Sequence, residues 1–198
     1  MIVTIIGYGA GNTASVQFAL ERLGARVRIT DDPAGIAEAE RLILPGVGAA
    51  AYAMSRLTAL GLVEPIRAFT RPLLGVCLGQ QLLFERSEEG NADLLALIPG
   101  TVAAILPAPG LTVPHMGWSR LTSRRDDPLL EGVADGAYAY FVHGYVCPDG
   151  ETTLATADYG GVIPAVVRHR NRWGCQFHPE RSAETGARIL KNFLDLPS

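Results

Sequence analysis

The sequence predicts an α/β fold, with a mostly parallel central sheet, helices on both of its faces and a smaller antiparallel β region. Three observations carry that expectation. Short apolar runs alternate with helical patterns through the first 85 residues, which read β-α-β-α-β-α-β-α. Apart from Val27-Arg28-Ile29, those runs are nearly continuous in apolar residues rather than apolar at every second position, as in strands covered on both faces. Beyond Ser87 the segments become short and extended, broken by prolines at 99, 107, 109, 114 and 128, a pattern that favours antiparallel pairing.

Each element has its own reason. Ile2 to Ile6 is the first buried run, closed by Gly7-Tyr8-Gly9-Ala10-Gly11-Asn12. A helical pattern from Thr13 to Leu23 places Val16, Ala19, Leu20 and Leu23 on one face, and Gly24 stops it. Val27 to Ile29 reads as the second strand. This unit has the outline of a dinucleotide-binding start, with Asp31 or Asp32 as the ribose acid. Asn12, however, replaces the third glycine of that fingerprint, so a tight turn closing a first βα unit is the simpler reading. Leu42-Ile43-Leu44 is the third strand and ends in Pro45-Gly46-Val47-Gly48; helical stretches follow around Tyr52 to Leu60 and Leu62 to Phe69. In parallel sheets function gathers at the carboxyl ends of strands. Gly7–Gly11, Gly46–Gly48 and Cys77 all fall at such ends.

The later strands are expected at Thr101 to Leu106, Ser119 to Thr122, Tyr138 to Val142, Leu154 to Ala157, Ala165 to Arg168 and Trp173 to Phe177. A closing helix runs from Ala183 to Phe193. There is no repeat, low-complexity tract or linker, so residues 1–198 are expected to form one domain.

Composition narrows the function classes. Hydrophobic residues make up 48% and charged residues 19%, with a formal net charge of −3, so no basic face for nucleic acid or membrane is expected. Cys77, Cys147 and Cys175 are odd in number and lack C-x-x-C spacing, which argues against a disulfide framework or a metal site. The N-terminal stretch has no basic region before its apolar run, and no apolar segment reaches membrane-spanning length. A soluble, cytoplasmic protein without cofactor is the expectation.

The chemistry concentrates in two stretches. Pro72-Leu73-Leu74-Gly75-Val76-Cys77-Leu78-Gly79-Gln80-Gln81 is an apolar run, then Gly-x-Cys-x-Gly, then a helical pattern. It has the form of a nucleophile elbow with a thiol at its apex, and the glycines leave room for the close backbone approach of a sharp turn. At a helix start the unpaired N–H groups favour a thiolate. The second stretch is Gln176-Phe177-His178-Pro179-Glu180. Pro179 pushes His178 to an extended conformation, where side chains two apart share a side. Glu180 can then hold one imidazole nitrogen while the other takes a proton from a thiol. Donors for an oxyanion would be the N–H of Leu78 and the Gly46-Val47-Gly48 backbone, with Val47 as the donor there.

Together these stretches resemble the class I, triad-type glutamine amidotransferases. The quoted motifs are joined by Gly7-Tyr8-Gly9, Pro45-Gly46-Val47-Gly48, Ser87-Glu88-Glu89-Gly90, Pro114-His115-Met116-Gly117-Trp118 and Phe141-Val142-His143. The Pro-Gly-Val-Gly, Ser-Glu-Glu-Gly and His-Met-Gly-Trp stretches are narrower and resemble the branch that serves histidine biosynthesis. The resemblance implies that Cys77, His178 and Glu180 hydrolyse the side-chain amide of L-glutamine. It implies substrate contacts at Gly46, Gly48, Gln81, Glu89, His143, Gly144 and Tyr145. Ammonia would pass to a (β/α)₈ barrel, the cyclase subunit of imidazole glycerol phosphate synthase, in a heterodimer that also yields AICAR. Tyr8, Asn12, Trp118, Tyr140 and Arg181 would face that partner, and the Gly46–Gly48 loop would be a switch. Gly7, Ala49-Ala50, Ser119, Gly144 and Gln80 depart from the residues common in that branch. A glutaminase feeding pyridoxal phosphate synthase, a γ-glutamyl peptidase and a non-catalytic regulatory subunit are the competing readings.

Overall fold

The computed structural model describes residues 2–197. The chain opens with β1 (Ile2–Ile6), α1 (Thr13–Arg22), β2 (Arg26–Thr30), α2 (Pro33–Glu38), β3 (Arg41–Gly46), α3 (Ala50–Ala59), α4 (Val63–Ala68), β4 (Leu73–Cys77) and α5 (Leu78–Leu82). Short strands follow: β5 (Arg86–Ser87), β6 (Ala92–Asp93), β7 (Thr101–Ala104), β8 (His115–Arg120), β9 (Thr122–Ser123), β10 (Tyr138–His143) and β11 (Tyr145–Val146). Longer β12 (Thr153–Asp158) and β13 (Val162–His169), then β14 (Arg172–Cys175) and α6 (Ala183–Asp195), complete the fold.

The central sheet has the order β2-β1-β3-β4-β14-β13-β12-β9. The five strands from β2 to β14 pair in parallel, and β13, β12 and β9 add antiparallel neighbours at one side. The antiparallel segments are therefore only partly a separate region, because three of them extend the central sheet itself. β14 is even a parallel strand, inserted beside β4. Two small sheets lie apart: a β8–β10 ribbon, and β11-β7-β5-β6. The expected strand at Ser119 to Thr122 begins earlier, at His115, because β8 pairs with β10 without interruption from His115↔His143 to Arg120↔Tyr138. Asp32, one of the two candidate ribose acids, is the N-cap of α2, accepting from Ala34 N–H at 3.2 Å.

Strand alternation divides the core between the two faces. Val3 and Ile5 of β1 pack with Val16, Ala19 and Leu20 of α1 and with Ile189, Leu190 and Phe193 of α6. Ile6 packs with Ile36, Leu57, Ile66 and Leu82 on the other side. Each such fully buried side chain contributes roughly 1.5–3 kcal/mol. The chain order β1, β2, then β3 on the opposite side of β1 creates a switch point, and the crevice outside the strand ends opens there. The ends of β3, β4 and β14 lie side by side, with Gly46↔Cys77 and Cys175↔Val76 in register. That alignment brings Pro45–Gly48, Cys77 and Gln176–His178 onto one rim.

Candidate active site

Cys77 is the last residue of β4 and the N-cap of α5, with φ 55° and ψ −114°. Such a conformation costs a non-glycine residue about 1–3 kcal/mol and persists only where its surroundings enforce it. Three backbone approaches do so. A Cβ on Gly75 would lie 2.4 Å from Gly79 O, one on Gly79 would lie 1.8 Å from Leu44 O, and one on Gly46 would lie 2.8 Å from Gly79 N. The glycines are there because β3, β4 and α5 touch through their main chains. The Cys77 thiol points towards Val142 O at 3.6 Å, and Gln176 Nε2 lies 4.0 Å from the sulfur.

His178 is extended, with φ −97° and ψ 97°, as the following proline requires. Its N–H donates to Tyr140 O at 2.9 Å, and its carbonyl accepts from Ser182 Oγ at 2.7 Å. Ser182 Oγ also accepts from Tyr140 N–H at 2.9 Å, so one hydroxyl ties the histidine to β10. The turn Pro179–Arg181 is held from behind by α6, where a Cβ on Gly186 would stand 1.8 Å from Pro179 O. His178 Nδ1 meets Glu180 Oε1 at 2.9 Å, and the Glu180 side chain is only 1% exposed. Burial pulls the imidazole pKa down, but the neighbouring Cys77 sulfur and the Glu180 carboxylate bonded to Nδ1 carry it up to about 10. The ring is therefore protonated at neutral pH.

A cavity of about 310 Å³ opens over this pair, walled by Val47, Gly48, Leu78, Gln81, Glu89 and Val142–Tyr145, with Cys77 and His178 in its surface. That volume suits a small amino acid. A hollow of about 620 Å³ lies against the outer face of α6 and one of about 500 Å³ around residues 123–133, and none of Cys77, His178 and Glu180 lines them. The smaller cavity alone among these three sets a thiol beside an imidazole held by a carboxylate.

The family described as "Glutamine amidotransferase class-I" matches residues 4–196. The chain belongs to the class I glutamine amidotransferases. A curated relative named imidazole glycerol phosphate synthase subunit HisH, from Xanthomonas axonopodis pv. citri (strain 306), is 56% identical over 194 residues, covering 98% of this chain and 97% of that protein. The protein of the same name from Xylella fastidiosa (strain 9a5c) is 53% identical over 194 residues, with the same coverage. Among solved structures, one described as glutamine amidotransferase has a TM-score of 0.77 at 20% identity, covering 98% of both chains. PurLQS from Thermotoga maritima has a TM-score of 0.71 at 20% identity, covering 98% of this chain and 97% of that one. These two share the amidotransferase fold.

Within this amidotransferase, the other residues singled out from the sequence fall into distinct places. Val47 N–H, expected as an oxyanion donor, instead donates to Ala10 O at 3.0 Å, whereas Leu78 opens α5. Gly46 does not line the cavity and lies packed beneath the elbow. Gly48, with φ +89° and no heavy atom within 4 Å of a Cβ built on it, does line it. Gln81 Nε2 donates to Tyr145 O and to Gln176 Oε1, both at 3.0 Å. Glu89 lines the cavity, yet its Oε2 accepts from Ala50 N–H at 2.7 Å. It caps α3 from a distance, a task its N-cap residue Ala49 cannot perform. Gly144 O accepts from Ile105 N–H, and Tyr145 O is held by Gln81 and His143, so the carbonyls of this wall are already engaged.

The expected partner face divides. Tyr8 is buried, its hydroxyl donating to Pro45 O at 2.9 Å, so it braces the Pro-Gly-Val-Gly loop from inside and is no surface residue. Asn12 is exposed and caps α1 through Ser15 N–H at 3.2 Å. Trp118, half exposed, meets the Tyr140 ring edge-on at 5.7 Å, and the Arg181 guanidinium lies over the same ring at 5.5 Å. Sequence reasoning missed Gln176, Ser182 and His115 as site-shaping residues. For Gln176 the signal was present: the two-residue period that pairs His178 with Glu180 also puts Gln176 on that side. Among the described residues no helix is long and apolar enough to cross a membrane, and Cys77, Cys147 and Cys175 are free thiols.

Proposed function

We propose that residues 1–198 form one cytoplasmic glutaminase domain that releases ammonia from L-glutamine and delivers it to the cyclase subunit of imidazole glycerol phosphate synthase. The observation that carries this reading is a single cavity that joins the strained Cys77 to a protonated His178 held by Glu180, in a chain 56% identical to a relative named as the HisH subunit of that enzyme. Cys77 Sγ attacks the side-chain amide carbon, and the oxygen becomes an oxyanion facing the Leu78 N–H. His178 gives its proton to the amide nitrogen, ammonia leaves, and a γ-glutamyl thioester remains. Water then attacks that thioester while His178 takes its proton. The sulfur departs, glutamate is freed and the imidazolium is restored. Glu180 keeps Nδ1 engaged throughout, so that the other nitrogen serves the sulfur.

The Gly46–Gly48 loop is the switch in this reading. A second oxyanion donor is worth roughly 2.7–4 kcal/mol in the transition state, and here it is turned to Ala10 O. Docking of the liganded cyclase on the face around Trp118, Tyr140 and Arg181 turns the Gly46–Val47 peptide so that Val47 N–H meets the oxyanion. A glutamine-like electrophile tests the nucleophile. It should alkylate Cys77 and spare Cys147, whose thiol burial pushes up to about 12, and Cys175, which burial raises further. Preferential labelling of either other thiol, mapped by mass spectrometry, would contradict the reading.

A further inference from the structure

A hydrogen-bond chain runs from the outer β8–β10 ribbon to the wall of the cavity, and one end of it fixes its polarity. The Tyr145 carbonyl can only accept, so His143 Nδ1, 2.8 Å away, carries the hydrogen. Burial pushes the His143 pKa down to about 4, so the ring is neutral and Nε2 is a bare acceptor. His115 Nδ1, 3.0 Å from that nitrogen, must therefore donate. Burial holds His115 at about 4 as well, which leaves its Nε2 to accept from the Ser119 hydroxyl at 3.0 Å. Neither ring is free to change tautomer without leaving a buried polar atom unpaired.

His115 itself does not line the cavity. It is almost fully buried, stacked on Tyr159 at 3.9 Å and on Phe141 at 4.9 Å. The Tyr145 carbonyl that His143 holds also receives Gln81 Nε2, and Gln81 in turn orients Gln176 beside Cys77. The tautomer of one buried histidine is thus connected to the Tyr145 and Gln81 wall of the pocket and, through Gln81, to Gln176 beside the sulfur.

We propose that His115 is a positioning residue for glutamine: by donating to His143 Nε2 it holds His143 as the Nδ1–H form, and through it the Tyr145 carbonyl and Gln81. The proposal rests on the cavity being the glutamine site. Without the donor, the buried Nε2 would be an orphan acceptor, and moving the hydrogen there would set two lone pairs against each other at Tyr145 O. The wall then shifts, and substrate and transition state lose binding alike. Such uniform loss raises KM with little change in kcat.

His115→Phe keeps the ring stack and removes the donor, whereas His115→Asn offers an amide N–H where Nδ1 stood. Glutamate release is measured with the liganded cyclase subunit present, and the His143 tautomer is read by ¹⁵N NMR of the chain. His115→Phe should raise the glutamine KM about tenfold with kcat within about twofold, and His143 should lose its uniform Nδ1–H signature. His115→Asn should restore most of both. An unchanged KM and tautomer in His115→Phe, with wild-type protein active, overturns the proposal alone. Equal losses in both variants, with kcat falling alongside KM, reveal a packing role and overturn it as well. Wild-type protein that releases no glutamate with the liganded cyclase overturns the glutamine reading, and this inference with it.

Discussion

The elbow and the loop beside it stand at the ends of adjacent parallel strands, yet they are held in opposite ways. Around Cys77 every glycine is a steric necessity, with backbone atoms 1.8–2.8 Å from where a Cβ would be. At Gly48 the glycine answers only to its φ of +89°, and no heavy atom comes within 4 Å of such a Cβ. The Cys77 elbow is locked by packing. Beyond the pairing of Pro45 and Gly46 with β4, the neighbouring loop is held by hydrogen bonds from Val47 N–H to Ala10 O and from Tyr8 Oη–H to Pro45 O. A net hydrogen bond is worth about 1 kcal/mol, whereas a main-chain clash admits no local adjustment. The comparison teaches where regulation can act: on the loop, with the thiol fixed.

Substitutions separate the elbow from the loop. Cys77→Ser should reduce glutamine hydrolysis by at least about a thousandfold, while synthesis from free ammonium in the complex survives. Loss of the ammonium-supported reaction too would sink the division of labour. Gly79→Ala should prevent soluble folding or cost more than about 4 kcal/mol, whereas Gly48→Ala should cost about 1–2 kcal/mol, the price of a left-handed φ. Equal costs in denaturant titrations would erase the difference between elbow and loop. Glu180→Gln should lower kcat about a hundredfold without weakening cyclase binding; unchanged turnover would remove Glu180 from the mechanism.

Stability should depend on pH in two directions. His178 is raised in the folded state to about 10, so its contribution is complete below its unfolded value of about 6.5 and is lost as pH rises towards 10. His115 and His143 are lowered to about 4, so their protonation opposes folding as pH falls from about 6.5 to 4. Thermal midpoints should fall on both sides, and His178→Gln should flatten the alkaline side only. The smallest effect is expected of Tyr8→Phe: loss of one brace, about 1 kcal/mol, should raise partner-free glutamate release about fivefold. A decrease would show that the brace does not restrain the loop.

The sequence displayed these two regions unequally. Gly75, Cys77 and Gly79 announced the elbow because a sharp strand-to-helix turn leaves a local pattern. Pro179 likewise announced the extended His178, and its two-residue period reached Glu180. The loop's state was not legible, because Val47 N–H finds Ala10 O across a strand connection that no local period encodes. Tyr8 was misplaced on the surface for the same reason: a glycine-rich loop has no repeat to say which way a ring points. β14 was expected only as one more late strand; its parallel place beside β4 follows from pairing that spans the chain. Glu89 and His115 meet Ala50 N–H and His143, contacts between segments far apart in sequence.

The most direct test of the account is glutamate release from glutamine, measured for this chain alone and then with the cyclase subunit and its ribonucleotide ligand. A locked nucleophile beside a misdirected Val47 N–H predicts weak activity alone and strong stimulation only when the liganded cyclase is present. High activity without any partner would contradict it, since the donor turned to Ala10 would then be unnecessary.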